Sequence, residues 1–164
     1  LRNIVSVAFT KEESSETAAE THLPERPISP HPNLVTSNGL ALLKARAHEA
    51  RAAYNVAQAI EDINERRRQS AVPYRDLRYF SERLHTAKVM PEPQGNTVVA
   101  FGSRVTFERD DGRVQTYRIV GEDEADPKNG TISFVSPVAS RLMGKAVGDV
   151  VTVGEQELEI TAIA

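Results

Sequence analysis

The spacing of apolar residues changes once along this chain, and that change restricts it to a helical part followed by a β part. Up to about residue 90 the repeat is helical. Leu40, Leu43, Ala47, Ala50, Tyr54 and Ala57 step by 3, 4, 3, 4 and 3, and Leu77, Phe80, Leu84 and Ala87 step by 3, 4 and 3. Such steps keep one narrow apolar stripe on a helix, the seam of a coiled coil. Pro91, Pro93, Gly95 and Asn96 then interrupt the chain, and beyond them the period is two. Arg104-Val105-Thr106-Phe107-Glu108 alternates, Asp110-Asp111-Gly112 turns, and Val114 to Val120 returns as a partner strand. Alternation sends successive side chains to opposite faces, as a strand with one buried face requires.

The elements follow from these stripes and their punctuation. Thr36 or Ser37 can cap a first helix, expected to continue to about Arg68, where Ser70-Ala71-Val72-Pro73 would end it. A second helix is expected from about Pro73, well placed in a first turn, to Lys88. Two narrow stripes joined by a short break fold back as an antiparallel hairpin. Their lengths do not match: at about 1.5 Å per residue the first would be roughly 45 Å and the second roughly 24 Å. Either the first helix breaks near Asn55, or its N-terminal half packs on something else. In the last part, Thr131 to Val135, a short helix from Pro137 to Leu142, and strands Val150 to Val153 and Gln156 to Ile163 complete a five-stranded antiparallel sheet. The fold class is α+β. The expected segments are a flexible Pro-rich tail over 1–36, a helical hairpin over 37–90, a linker over 91–101 and a β-rich domain over 102–164.

Composition excludes several chemistries. The 164 residues contain no cysteine, which removes disulfides, thiolate metal sites and a Cys nucleophile. The four His residues have no HxH or HExxH spacing, and no apolar run approaches the roughly 20 residues that span a bilayer. The opening residues lack a basic region followed by a long apolar one, so no secretory leader is expected and the cytoplasm is the default. The net charge of −3 is unevenly shared. Residues 37–91 carry ten Lys/Arg against six Asp/Glu, whereas 92–164 carry seven against twelve. Such asymmetry points to modules with different partners. Within 1–36, Pro24, Pro27, Pro30 and Pro32 follow an acidic Ser/Thr-rich stretch that offers little to bury.

One succession of residues resembles a known family. Thr116-Tyr117-Arg118-Ile119-Val120-Gly121-Glu122-Asp123-Glu124-Ala125-Asp126 resembles the TYRIVGxDEAD signature of the bacterial GreA/GreB transcription elongation factors. Ile132-Ser133, Ser136-Pro137-Val138-Ala139, Leu142, Gly144-Lys145 and Gly148-Asp149 follow in the order of that family's C-terminal domain, whose fold is FKBP-like. Thr36, Gly39 and Leu43 fall where Gre factors open their first helix, and Leu84, Ala87 and Val89 resemble the family's LxxAxV. The leader up to Thr36 looks GreB-like. The resemblance implies a bacterial partner of RNA polymerase that docks by this domain on the rim of the secondary channel, with the hairpin reaching toward the active site. It implies a docking surface at Ser136, Pro137 and Ala139, although Ser136 and Pro137 also read as an ordinary helix start. Glu122, Asp123, Glu124 and Asp126 read either as a solvated turn or as a surface for basic residues of a partner, and they make a poor metal site.

The hairpin departs from the family pattern. The acidic tip motif GDLxENAEY, whose carboxylates help hold a magnesium ion in the polymerase, is missing, and the hairpin is expected to be short, as in the regulator of nucleoside diphosphate kinase subclass. At the expected tip stand Glu65, Arg66, Arg67, Arg68, Arg75 and Asp76, with Arg78 nearby. Magnesium takes hard oxygen ligands, and clustered guanidinium groups raise the energy of a divalent cation. Two readings of the arginines stay open: contact with RNA or nucleotide phosphates, or cations opposing the dipole at the end of the first helix. The function expected is therefore a monomeric, polymerase-binding regulator of elongation without transcript cleavage, without a metal or cofactor of its own and without enzymatic activity. The alternative is an active cleavage factor using Glu65, Asp76 or Asp62. Prolyl isomerases share the FKBP-like fold, but Phe101, Phe107, Tyr117 and Phe134 are too few to line a prolyl pocket.

Overall fold

The computed structural model describes residues 23–164, so the first 22 residues of the tail expected over 1–36 lie outside the described residues. Two compact units are present. One comprises residues 23–28 and Ala45–Glu82, the other Ser29–Lys44 and Arg83–Ala164.

The first unit is built on helices α1 (Ser37–Gln58) and α2 (Ile63–Thr86), whose remaining turns belong to the second unit. Their boundaries correct the expected ones. Helix α1 ends at Gln58 rather than near Arg68, close to the break near Asn55 that the unequal lengths offered as one alternative, and α2 begins at Ile63 rather than at Pro73. With 22 and 24 residues the helices match, and the length discrepancy disappears. Ala59 and Ile60 close the turn by donating to the carbonyls of Val56 and Ala57 at 3.2 Å. Asp62 then caps α2, its Oδ1 accepting the Glu65 amide at 2.8 Å. Pro73 lies inside α2, where it forfeits one helical hydrogen bond at about 3 kcal/mol. The helix nevertheless runs on through it: Pro73 and Phe80 line a hollow with Ala50 and Ala53 of α1, and the Tyr54 and Tyr74 rings lie 5.6 Å apart across the hairpin. Ala50, Ala57 and Phe80 are buried, as their place on the two stripes requires.

Residues 23–28 form part of this unit. The Arg26 guanidinium lies 3.9 Å from the Tyr79 ring centre and 4.9 Å from that of Phe80, and its Nη1 is 3.3 Å from Asp76 Oδ1. Glu25 pairs with Arg78 at 2.9 Å. From residue 23 onward, then, the expected tail is held by specific contacts.

In the second unit, β1 (Leu34–Val35) and β2 (Lys88–Val89) pair in parallel. Asn33, Val35 and Thr36 are buried, and Asn33 Nδ2 donates to the Arg83 carbonyl at 2.7 Å and to Thr86 Oγ1 at 3.1 Å. Strands β3 (Arg104–Arg109), β4 (Val114–Val120), β5 (Thr131–Ser133), β6 (Val150–Val153) and β7 (Gln156–Ile163) form a sheet in the order β5-β4-β3-β7-β6. The sheet is not wholly antiparallel as expected, because β5 runs parallel to β4. The acidic segment and a 3-10 turn at Pro127–Asn129 carry the chain back to make that pairing. Helix α3 (Pro137–Leu142) covers one face, over a core that includes Val105, Phe107, Ile119, Leu142, Leu158 and Ile160. Val99, from the expected linker, belongs to the same core, and its amide donates to the Lys145 carbonyl at 2.8 Å. Among the described residues no helix is long and apolar enough to cross a membrane.

Candidate partner-docking site

Ser136 caps α3, accepting the Ala139 amide at 3.3 Å, and Pro137 occupies the first helical position, where a missing N–H costs nothing. Pro137 is exposed and Ser136 half-buried. Ala139, expected as a contact residue, is fully buried beside Leu142 and belongs to the core instead. The helical period explains this: a face that buries Ala139 and Leu142 turns Pro137 and Ser140 outward.

The acidic segment after β4 was expected as a solvated turn or a partner surface, but three of its members turn to the chain's own groups. Arg83, only 2% exposed, donates through Nε to Asp123 Oδ2 at 2.6 Å, and its Nη2 lies 3.7 Å from Glu122 Oε2. That oxygen is buried and accepts no hydrogen bond, so the guanidinium charge is what it faces. Glu124 accepts from Thr36 Oγ1 at 2.6 Å and from Asn38 Nδ2 at 2.9 Å, while Thr36 Oγ1 caps α1 by accepting the Gly39 amide at 2.9 Å. Carboxylates placed here complement the positive end of α1. Asp126 alone remains exposed, bound to Asn129 Nδ2 at 2.6 Å. Gly121 precedes this segment because a Cβ there would stand 2.3 Å from the Leu34 carbonyl oxygen.

The hairpin turn is not where the arginines are. Glu61 and Asp62 occupy it, both exposed. Arg66, Arg67 and Arg68 lie early in α2, so they do not complement the dipole at a helix C-terminus as expected. Arg68 is paired with Glu65, which also accepts from Gln69 Nε2 at 2.8 Å. Arg75 and Asp76 contact each other at 3.3 Å. They stand roughly 18 Å along the helix from Ile63 and are not tip residues. The signal for the true turn was present in the sequence as Asp62-Ile63-Asn64-Glu65, an acidic cap followed three residues later by Glu. Among the described residues, no group of three or more His, Cys, Asp or Glu is placed to hold a metal ion.

Residues 94–164 match the family model for the C-terminal part of the transcription elongation factor GreA/GreB. The chain is 38% identical over 133 residues to the transcription elongation factor GreA of Alkalilimnicola ehrlichii, covering 75% of this chain and 78% of that protein. It is 38% identical over 138 residues to GreA of Ralstonia nicotianae, covering 79% and 85%. The chain belongs to the GreA/GreB family. Among solved structures it is similar to GreA factor homolog 1 of Thermus thermophilus, with 23% identity, coverage of 82% and 99%, and a TM-score of 0.39. The Gre signature over Thr116–Asp126 thus falls on β4 and on the acidic segment that binds Arg83 and Thr36. The Gre-like Ser136-Pro137 falls on the capped start of α3.

Proposed function

We propose that this chain is an RNA polymerase-binding regulator of transcription elongation, itself without enzymatic activity, that acts as a monomer in the bacterial cytoplasm. Membership of a family whose relatives are named transcription elongation factors supports the partner. Docking at the secondary-channel rim would use the exposed Pro137 and its cap Ser136, with the exposed Asp126, ten residues before Ser136, as the acid that binds only its own turn. Glu122, Asp123 and Glu124 are reserved for the chain's own helices.

The hairpin is proposed to occupy the channel without stimulating cleavage, and one observation carries this reading: the carboxylates near the turn are mostly engaged. Asp62 Oδ1 caps α2, and Glu65 binds Arg68 and Gln69. Among the described residues Glu61 makes no such bond, and three arginines follow at positions 66 to 68. Glu65, bonded through both oxygens, does not fit as a magnesium ligand. The exposed Arg67 instead suits a phosphate of RNA or of a nucleotide.

Pro137→Glu tests the docking face, because Glu is tolerated at a first helical position. Pull-down with RNA polymerase is expected to capture the unsubstituted chain and to lose about tenfold in affinity with the variant, at unchanged melting temperature. Equal capture would overturn this docking face, and no capture of either form would overturn the polymerase reading. A second reading rests on the adjacency of the exposed Glu61 and Asp62 at the turn: a cleavage-stimulating factor using these two acids. Asp76 drops out of that reading, being mid-helix and paired with Arg26 and Arg75.

A further inference from the structure

We infer that the outer edge of β6 is a second interaction surface, one that accepts an extended acidic segment of another protein as an added strand. Strand β6 is an outermost strand of the five. Gly154, at φ 63°, and Glu155 make the two-residue turn between β6 and β7. Glycine first in such a turn gives a tight hairpin whose flanking residues, here Val153 and Gln156, exchange hydrogen bonds. Bonded and non-bonded pairs alternate along an antiparallel ladder. Val151 is therefore bonded to β7, while Val150 and Thr152 aim their N–H and C=O groups away from it. The pattern persists before the strand, where Ile160 donates to the Asp149 carbonyl at 3.0 Å.

Outer edges are usually blunted by lysine, proline or an inward charge. Val150-Val151-Thr152-Val153 contains none of these, and Val150 is 56% exposed. Beside the edge lies a groove of about 500 Å³ lined by Arg141, Lys145, Val150, Val151, Thr152 and Gly154. Neither Arg141 nor Lys145 forms an ion pair among the described residues, and both are exposed. An added strand would present every second side chain to the α3 face, where these two cations lie. Acidic side chains at those positions complement them.

A second copy of the chain is a poor occupant. Two β6 edges joined by a two-fold axis normal to the sheet keep their α3 faces on the same side. Arg141 and Lys145 of one copy would then approach those of the other, and like charges oppose that pairing. The same cations that repel a second copy select an acidic strand.

The test uses the full isotope-labelled chain, an acetylated peptide alternating Glu and Val, and a Lys-Val counterpart. The Glu-Val peptide is expected to slow amide exchange at Val150 and Thr152 and to bind about tenfold more tightly than the Lys-Val peptide. Thr152→Pro removes an outward donor at an edge position and should abolish binding. The Arg141→Glu, Lys145→Glu double variant, which leaves the β6 backbone untouched, should reverse the preference and covers the case in which Thr152→Pro fails to fold. Equal affinity for both peptides, or unchanged exchange at Val150 and Thr152 with either, would overturn the inference. So would concentration-dependent protection of these amides without peptide, which would assign the edge to a second copy.

Discussion

The same two helices are held by different means at their two ends. At the base, Thr36, Leu43 and Arg83 are 3%, 0% and 2% exposed, and the polar groups among them bind residues about 40 and 88 positions away, Asp123 and Glu124. Toward the turn, Val56 and Ile63 are 73% and 57% exposed, and the polar bonds are local, from Asp62 to Glu65 and from Glu65 to Arg68 and Gln69. Long-range bonds to buried charge specify architecture, whereas local bonds on an exposed helix only support the helix. The difference explains why the acids of the Gre signature are structural, whereas near the turn the acids Asp62 and Glu65 bind only their own helix and Arg67 stays exposed.

The largest expected effect comes from Arg83→Ala, which removes the buried guanidinium that both Glu122 and Asp123 face. A loss of about 3–5 kcal/mol in urea unfolding is expected; a loss below about 1 kcal/mol would mean that the base is held by something else. Next, Gly121→Ala drives a Cβ against the Leu34 carbonyl and should cost about 2 kcal/mol, with loss of the β1–β2 pairing visible in amide exchange. Thr36→Ala removes the α1 cap and a partner of Glu124, for about 1 kcal/mol. Smallest is Arg67→Ala near the turn, which should stay within about 0.5 kcal/mol. A larger effect there would erase the contrast between the two ends.

Most of the sheet was legible because alternation survives in the residues: Val105 and Phe107 are buried while Arg104 and Glu108 are exposed, as period two requires. The parallel β5 was not legible, since side-chain alternation is the same for either strand direction. The hairpin seam is legible for a similar reason, but its turn, between Gln58 and Ile63, is signalled in the sequence less strongly than Pro73 is. Pro73 is a strong breaker in isolation, yet the helix runs through it, held by tertiary context such as the Tyr54–Tyr74 ring contact that a local signal does not carry. The roles of Glu122, Asp123 and Glu124 depend on Arg83 and Thr36 arriving from far along the chain, which local reading cannot supply. Ser136 and Pro137 are legible as a helix start because capping is local.

The most direct test of the central claim is transcript cleavage in a stalled, backtracked RNA polymerase elongation complex with magnesium. Adding this chain is expected to leave the rate of 3′ trimming at the polymerase's own level, while adding a GreA relative in the presence of excess chain should give less trimming than the relative alone. Rapid trimming by this chain, abolished in a Glu61→Ala, Asp62→Ala variant that still binds polymerase, would contradict the account and establish the turn carboxylates as its working groups.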